Sequence, residues 1–141
     1  MCGIAGVLGG DAAALGPMIG ALAHRGPDGI RIETTPTGAH LAHARLSIID
    51  LTGGWQPLHA VGCVVVGNGE LYNYVELAAA HGLTDLATGS DFEPFLRLAA
   101  ADPDRAIGEL RGMYALCLVT PDGDARLARD PFGIKPLYIL Q

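Results

Sequence analysis

The sequence predicts one compact α/β domain in which helices cover buried β-sheets. Apolar runs of strand length recur along the 141 residues, and the run at residues 61–67 holds three consecutive valines, as is typical of a strand buried on both faces. Segments of helix-forming composition are grouped between these runs. Hydrophobic residues make up 50% of the chain, so a sizeable core is expected within a single domain spanning residues 1–141. The chain has no internal repeat and no linker.

The first third of the chain is predicted to form a strand, a helix and a β-hairpin. The strand ends at Gly9-Gly10-Asp11, and the helix is expected to start near Gly16, because Pro17 is tolerated only in a first turn. A turn-rich loop at residues 24–29 precedes the hairpin, whose strands are joined through Thr35-Pro36-Thr37-Gly38. The predicted strands are residues 3–8, 30–34 and 39–46, and the predicted helix is residues 12–24.

The rest of the chain alternates between helical and strand patterns. Gly82 stands at a C′-like position after one helix, and Ser90-Asp91-Phe92-Glu93 has the spacing of a capping box before the next. Asp102-Pro103 opens a third helix, and Pro121-Asp122-Gly123-Asp124 is a tight turn between two strands. The predicted helices are residues 72–81, 92–101 and 103–110, and the predicted strands are residues 61–67, 112–120, 125–129 and 137–140.

The charges and cysteines narrow the possible functions. The net charge is −6 and Lys135 is the only lysine, which argues against a general nucleic-acid-binding surface. No apolar run approaches the ~20 residues of a membrane span, and the N-terminus has no signal-peptide pattern. Cys63 and Cys117 lie inside apolar runs and are predicted to be reduced core residues, which fits a cytoplasmic protein. No metal site is predicted, because His40 and His43 would fall on opposite strand faces.

Cys2 is the candidate nucleophile. Removal of the initiator Met1 is expected, because Cys is small, and it would leave a thiol and a free α-amine on one residue. An α-amine titrates near ~7.7–8.0, so it can take the thiol proton and later return it to a leaving group. A thiolate is also the strongest side-chain nucleophile at neutral pH. Taken alone, however, Cys2 is more simply interpreted as an incidental residue before the first strand.

Six motifs that occur in order along the chain change that interpretation. They are Cys2-Gly3-Ile4-Ala5-Gly6, His24-Arg25-Gly26-Pro27-Asp28, Arg45-Leu46-Ser47-Ile48-Ile49-Asp50, Asn68-Gly69-Glu70-Leu71-Tyr72-Asn73, Gly89-Ser90-Asp91 and the stretch from Arg129 to Tyr138. Together they resemble the N-terminal glutaminase domain of glutamine-dependent asparagine synthetase, a class II (N-terminal-Cys) glutamine amidotransferase, over essentially the whole chain. Arg25-Gly26-Pro27-Asp28 is the asparagine-synthetase form of its motif.

The resemblance implies a fold and a reaction. The implied fold is α+β, the four-layer αββα sandwich of N-terminal-nucleophile hydrolases, with two antiparallel sheets face to face. Cys2 would attack the side-chain amide of glutamine, form a γ-glutamyl thioester and release ammonia. Asn68, through its side-chain amide, and Gly69, through its N–H, would form the oxyanion hole, just past the strand at residues 61–67. Without the other motifs, Asn68-Gly69 would be interpreted as an ordinary hairpin turn.

Free glutamine needs a partner for each end of its backbone. Arg45 suits the α-carboxylate, since a planar guanidinium can donate two hydrogen bonds to a carboxylate; otherwise it would be a solvated charge at a strand end. Glu70 and Asp91 suit the α-ammonium as acceptors. Asp91 is alternatively a helix N-cap, and the two roles are compatible. The resemblance also places backbone groups beside the glutamine, those of Leu46, Ile48 and Ile49.

The chain ends at Gln141, where the resembled domain continues with further strands and then with a synthetase domain. We therefore expect a C-terminally incomplete domain that needs no cofactor of its own. ATP and Mg²⁺ would belong to a synthetase domain or partner chain that amidates aspartate or a related carboxylate. Two hypotheses stay open: an active glutaminase that supplies ammonia to that partner, and a non-catalytic remnant that acts as a binding or regulatory module. An exposed sheet edge would make the chain marginally stable or favour an oligomer.

Overall fold

The computed structural model describes all 141 residues and contains two antiparallel β-sheets. The first sheet has three strands in the order β1-β3-β2, which are β1 (Gly3–Val7), β2 (Gly29–Thr34) and β3 (His40–Arg45). The predicted hairpin is present, and in its register Gly29 lies opposite Arg45. In the other pairing of β3, Gly3 of β1 lies opposite Ala44. The N-terminal end of β1 therefore meets the C-terminal end of β3 at one edge of this sheet.

The second sheet has four strands in the order β4-β5-β6-β7. They are β4 (Leu58–Ala60), β5 (Cys63–Leu71), β6 (Gly112–Val119) and β7 (Ala125–Arg129). The α-helices are α1 (Leu15–Ala21), α2 (Tyr74–Ala80), α3 (Phe92–Ala99) and α4 (Pro103–Gly108), and 3₁₀ turns flank α1 at Ala12–Ala14 and Ala23–Arg25. None of these helices combines the length and the apolar character that crossing a membrane requires.

Helices lie on the outer faces of the sheets, which gives four layers in the order αββα. Helix α1 packs on the first sheet through Leu15 and Ile19, against buried alanines of β1 and β3. Helices α3 and α4 pack on the second sheet, where Phe92 and Phe95 are fully buried. Between the sheets, Leu41 of β3 packs against valines of β5 and β6. All strand pairs are antiparallel, so the fold is the α+β sandwich that the resemblance implied and not an α/β domain with parallel strands.

The two core cysteines have the environment that the sequence predicts. Cys63 and Cys117 are free and buried. Burial raises the pKa of Cys117 to about 11, so this thiol stays protonated at neutral pH. These residues therefore contribute apolar packing and leave Cys2 as the half-buried thiol of the chain.

The strand predicted at residues 61–67 is displaced along the chain to Cys63–Leu71. Val61 and Gly62 instead form the turn between β4 and β5, with φ angles of 51° and 78°. Positive φ at both central residues suits a tight hairpin, but valine adopts it rarely, so its apolar side chain misleads the prediction. Strand β4 escapes sequence-based prediction because three residues are too few to show an alternating pattern.

The strand predicted at residues 137–140 does not form. This segment makes no backbone hydrogen bond to either sheet, and Tyr138 and Leu140 are almost fully exposed. Apolar and aromatic composition favours a strand only where a neighbouring strand can satisfy its N–H and C=O groups. The other predicted helices and strands are present, and their ends differ by a few residues from those predicted.

Candidate active site

A cleft opens between the two sheets, at the edge where β1 begins and β3 ends. Its walls come from β3, the loop that follows it, β5 and the start of α3. All nine of the predicted site residues line this cleft, namely Cys2, Arg45, Leu46, Ile48, Ile49, Asn68, Gly69, Glu70 and Asp91. The sandwich thus brings together residues that are far apart in the sequence.

The Cys2 thiol lines this cleft, directly before β1. Its Sγ is 3.4 Å from the backbone nitrogen of Leu46 and 3.6 Å from the Leu46 carbonyl oxygen. The carbonyl oxygen of Cys2 accepts a hydrogen bond of 3.0 Å from Nε of Arg25. The thiol and the main chain of Cys2 are therefore each held in place from a different element. Met1 also lines the cleft.

Arg45 is buried, so it is not the solvated charge at a strand end that was the alternative. Its Nη2 donates to the backbone oxygen of Asp50, and its guanidinium lies 4.6 Å from the ring centroid of Trp55. Its Nη1 is buried and has no partner in the protein. The indole fits above Gly29, where a β-carbon would stand 3.1 Å from the ring. One donor of a rigidly held cation is therefore left free for an anion.

Asn68 and Gly69 lie inside β5, so they are neither a hairpin turn nor just past a strand. Asn68 pairs with Ala115 of β6, and Gly69 pairs with Tyr114. The alternation of β5 places Asn68 and Glu70 on the face that looks toward the first sheet. Asn68 is buried, and its Oδ1 has no partner in the protein. A rigid central strand therefore presents this amide to the cleft.

Asp91 stands at the start of α3 but does not cap the helix. Its Oδ2 accepts a hydrogen bond of 2.7 Å from the N–H of Leu71, and its side chain makes no cap hydrogen bond. The predicted capping box is also not formed, because the Glu93 carboxylate accepts from the N–H groups of Ala87 and Thr88. Burial, aided by the nearby charge of Glu70, raises the pKa of Asp91 to about 6.

Comparison with known proteins is consistent with this geometry. A family described as a glutamine amidotransferase domain matches residues 1–141. The chain belongs to this family. It is 42% identical over 120 residues to asparagine synthetase B (glutamine-hydrolysing) of Escherichia coli, 82% of this chain and 22% of that protein. It is 38% identical over 148 residues to the glutamine-hydrolysing asparagine synthetase of Zea mays, 99% of this chain and 25% of that protein. The amidotransferase domain thus spans about a quarter or less of the curated relatives it matches.

Asp50 holds the loop between β3 and β4 against the rest of the amidotransferase domain. Its φ is 52°, a left-handed conformation that aspartate tolerates better than most residues. Oδ1 accepts from the N–H of Gly53 and Oδ2 from the N–H of Gly89, each at 2.8 Å. Since its carbonyl also accepts from Arg45, this residue joins β3, the loop and the segment before α3. Ile48 and Ile49 of that loop thereby stay at the wall of the cleft.

Two further residues, one lining the amidotransferase cleft and one packed behind it against Arg45, escape sequence-based prediction. His43 lines the cleft, is 1% exposed, and has no partner for either ring nitrogen. Burial, together with the charge of Arg45, lowers the pKa of His43 to about 4, so its ring is neutral at pH 7. Trp55 contacts the Arg45 guanidinium from a loop. The period-two spacing of His43 and Arg45 on β3 is the signal that could have placed the histidine at the site.

Proposed function

We propose that this domain hydrolyses free L-glutamine to glutamate and ammonia through a γ-glutamyl thioester on Cys2. The observation that supports this most directly is that a thiol, a buried guanidinium with one unpartnered nitrogen and two carboxylates share one cleft. A free α-amino acid carries an α-carboxylate and an α-ammonium, and the cleft offers a group of opposite charge to each. A glutamine within a peptide carries neither charge and would leave the buried Arg45 donor without its anion.

In the proposed first step, mature Cys2 attacks the side-chain amide carbon of glutamine. The α-amine takes the thiol proton, the sulfur–carbon bond forms, and the carbonyl oxygen becomes an oxyanion. The carbon–nitrogen bond then breaks, and the proton passes from the amine to the departing ammonia. A water molecule attacks the thioester, which yields glutamate and restores the thiol.

The proposed binding roles follow from the free hydrogen-bonding capacity of the cleft. Nη1 of Arg45 would bind the α-carboxylate, because Nη2 is already held by Asp50. The carboxylates of Asp91 and Glu70 would accept from the α-ammonium. Backbone groups of the loop after β3 would line the other side of the substrate, those of Leu46, Ile48 and Ile49.

Asn68 and Gly69 are proposed to stabilise the oxyanion, Asn68 through its side-chain amide and Gly69 through its N–H. The position of both on a central strand supports this role, since donors that are fixed in advance stabilise developing charge best. We expect Asn68→Ala to lower kcat by about 10²-fold and to leave glutamine binding near normal, because its donor acts on charge that develops in the transition state.

The ammonia is proposed to serve ATP-dependent amidation of aspartate to asparagine by a synthetase domain or partner chain. The names of the relatives support this, because they are glutamine-hydrolysing asparagine synthetases. ATP and Mg²⁺ would bind to that synthetase part, and we assign no residue of this domain to either. Action in the cytoplasm is part of the proposal, since the three cysteines are free thiols.

The proposal is tested by measuring the release of glutamate and ammonia from glutamine. Mass spectrometry of denatured protein should also detect the γ-glutamyl group on Cys2. Cys2→Ala should abolish both products and change the melting temperature little, because it removes one sulfur atom at a chain terminus. The matched control keeps the thiol but blocks the amine. One residue that is not removed by processing is placed before Cys2, so that the α-amine of Cys2 becomes part of a peptide bond, and this variant should also be inactive. Glutaminase activity in protein whose intact mass shows that Met1 is still present would contradict the mechanism.

Glutamine binding without ammonia release by the processed protein would favour the binding-module hypothesis instead.

A further inference from the structure

The loop after β7 is built around the buried carboxylate of Asp130. This carboxylate accepts hydrogen bonds from the N–H groups of Phe132 at 3.2 Å, Ile134 at 2.9 Å and Lys135 at 3.0 Å. It also accepts from the N–H of Tyr114 in β6. Burial alone would raise the pKa of Asp130, but these hydrogen bonds outweigh it and hold the pKa below its usual range. The loop is therefore fixed to the second sheet.

Arg129 holds the same loop from its other side. Its Nε donates to the carbonyl oxygen of Lys135 at 2.8 Å, and its Nη2 donates to that of Gly133 at 2.6 Å. Both backbone groups of Lys135 are thus engaged, one by each of two neighbouring charged residues. This arrangement accounts for residues 129–135 of the motif that runs from Arg129 to Tyr138, to which neither glutamine binding nor oxyanion stabilisation assigns a role. Its effect is to fix the direction of the Lys135 side chain.

That side chain is directed into the active-site cleft. Lys135 is 3% exposed, lines the cleft and contacts the Sδ of Met1, the residue expected to be removed. Its ammonium pairs with no carboxylate, which is unusual for a buried cation. A second cation also approaches the N-terminus: Arg25 donates to the Cys2 carbonyl, and its buried Nη2 has no partner. Two cations therefore contact the first two residues of the chain, Lys135 at Met1 and Arg25 at Cys2.

The remaining charges around the cleft do not neutralise this pair. Arg45 of β3 adds a third cation, and His43 is neutral. The anions that line the cleft are Glu70 of β5 and Asp91 of α3, which are the groups proposed to bind the α-ammonium of glutamine. In the substrate complex these two carboxylates and Arg45 would all be engaged by the charged ends of the ligand. The charges near the N-terminus that the ligand does not neutralise would then be those of Lys135 and Arg25.

We propose that Lys135 is a positioning residue that acts on the mature N-terminus of Cys2, keeping its α-amine uncharged and favouring the anionic sulfur. This rests on the proposed function. A cation disfavours a second positive charge beside it, so the ammonium of Lys135 opposes protonation of the α-amine. The same charge stabilises the sulfur anion and the oxyanion that follows it. Removal of Met1 therefore both frees the amine and exposes it to the ammonium of Lys135.

The test compares Lys135→Met, Lys135→Gln and Lys135→Arg in the processed protein, with Arg126→Met as a matched control. Arg126 is another cation of the same region, but it pairs with Asp104 outside the cleft. We expect Lys135→Met and Lys135→Gln to lower kcat on the order of tenfold near pH 7, with KM within about twofold. This loss of kcat should become smaller toward about pH 9, where an α-amine is uncharged even without a neighbouring cation. Lys135→Arg should restore most of kcat, and Arg126→Met should match the wild type.

Unchanged kcat in both Lys135→Met and Lys135→Gln would overturn the proposal. It would also be overturned if kcat of these variants fell by the same factor at every pH, or if Lys135→Arg lost as much kcat as they do. The rate of Cys2 alkylation by iodoacetamide, followed by mass spectrometry, gives a second readout that requires no glutamine. It should fall in the neutral variants and recover in Lys135→Arg. If thermal melting shows that Lys135→Met is unfolded, Lys135→Gln and the alkylation rates decide. Absence of glutaminase activity in the wild type would instead reject the proposed function, so the two failures are distinguishable.

Discussion

The charged guanidinium of Arg45 is buried. Its guanidinium is held by the Asp50 carbonyl and by the Trp55 ring, and neither partner is an anion. A buried cation without an anion is costly, unless a ligand supplies the opposite charge. The site is thus prepared for a carboxylate before the substrate arrives, which lowers the ordering cost of binding.

We expect Arg45→Ala to raise KM for glutamine roughly 10- to 100-fold and to change kcat little. The interaction is present in both the ground state and the transition state, and a charge-assisted hydrogen bond contributes about 1.5–3 kcal/mol. Steady-state kinetics measures this. Arg31→Ala is the matched control, because Arg31 also stacks on Trp55, at 4.3 Å, but is exposed. An unchanged KM in Arg45→Ala would show that the carboxylate binds elsewhere.

The raised pKa of Asp91 makes both binding and stability depend on pH. Its value in the folded protein is about 6, above the ordinary 3.8, because the charged form is buried. The folded state therefore binds more protons than the unfolded state between these values, and the free energy of unfolding falls as pH rises from about 4 to about 6. The ionised carboxylate is the better acceptor for an ammonium, so KM for glutamine should rise below pH 6.

Asp91→Asn tests the role of this buried charge, because it should increase stability and weaken glutamine binding at neutral pH. The amide keeps an acceptor for the Leu71 N–H but removes the buried charge. We expect it to stabilise the protein by up to roughly 3 kcal/mol at pH 7, to have little effect near pH 4, and to raise KM at pH 7. Chemical denaturation at both pH values and kinetics measure these effects. Equal stability changes at the two pH values would mean that the charge of Asp91 is not the cause.

Strand β5 contributes to catalysis by its position in the sheet. It is the longest strand, it pairs with β4 and β6, and its inner face carries Asn68 and Glu70. At Gly69 the neighbouring strand approaches so closely that a β-carbon would stand 1.9 Å from the carbonyl oxygen of Met113. The φ of Gly69 is 154°, which also disfavours a side chain. Glycine is therefore needed at this place for the strand pairing itself.

We expect Gly69→Ala to destabilise the fold by about 2–4 kcal/mol, through backbone strain and overpacking. Thermal and chemical unfolding measure this. Gly20→Ala is the matched control: it lies in α1 with nothing within 4 Å of the added β-carbon. This substitution should stabilise the protein by about 0.5–1 kcal/mol, because alanine favours a helix over glycine. A Gly69→Ala protein of wild-type stability would contradict the close approach of β5 and β6.

Over the whole molecule, apolar side chains are unevenly exposed. The segment after β7 carries Phe132 at 88%, Tyr138 at 88% and Leu140 at 95% exposure. On the outer face of the first sheet, Ile32 is also half exposed, beyond the area that α1 covers. Large exposed apolar side chains that follow one another along a chain favour contact with another surface.

We expect the 141-residue protein to associate in a concentration-dependent way. Size-exclusion chromatography with light scattering at several concentrations would measure it. A triple substitution, Phe132→Ser with Tyr138→Ser and Leu140→Ser, should shift the protein toward the monomer. Val75→Ser, which removes an exposed side chain of α2, should not. A wild-type protein that stays monomeric at every concentration would contradict this expectation.

The sequence is informative where function depends on neighbouring residues and less so where it depends on distant contacts. Cys2, Arg45, Asn68 and Asp91 are found because each stands in a short motif, and the structure places all four in one cleft. The partner of Asp91, by contrast, is a backbone N–H twenty positions away, and a helix cap is the simplest expectation from local sequence. A strand at residues 137–140 is wrongly predicted for a similar reason, since pairing requires a neighbour that composition does not reveal.

Trp55 is the only tryptophan of the chain, and its ring lies 4.6 Å from the guanidinium proposed to bind the substrate. Indole emission responds to the charge and polarity next to the ring, so the protein contains its own optical sensor of ligand occupancy. Titrating the Cys2→Ala variant with glutamine should change this emission along a saturable curve and give Kd without turnover. Affinity and catalysis can then be measured separately for every variant that leaves Trp55 in place.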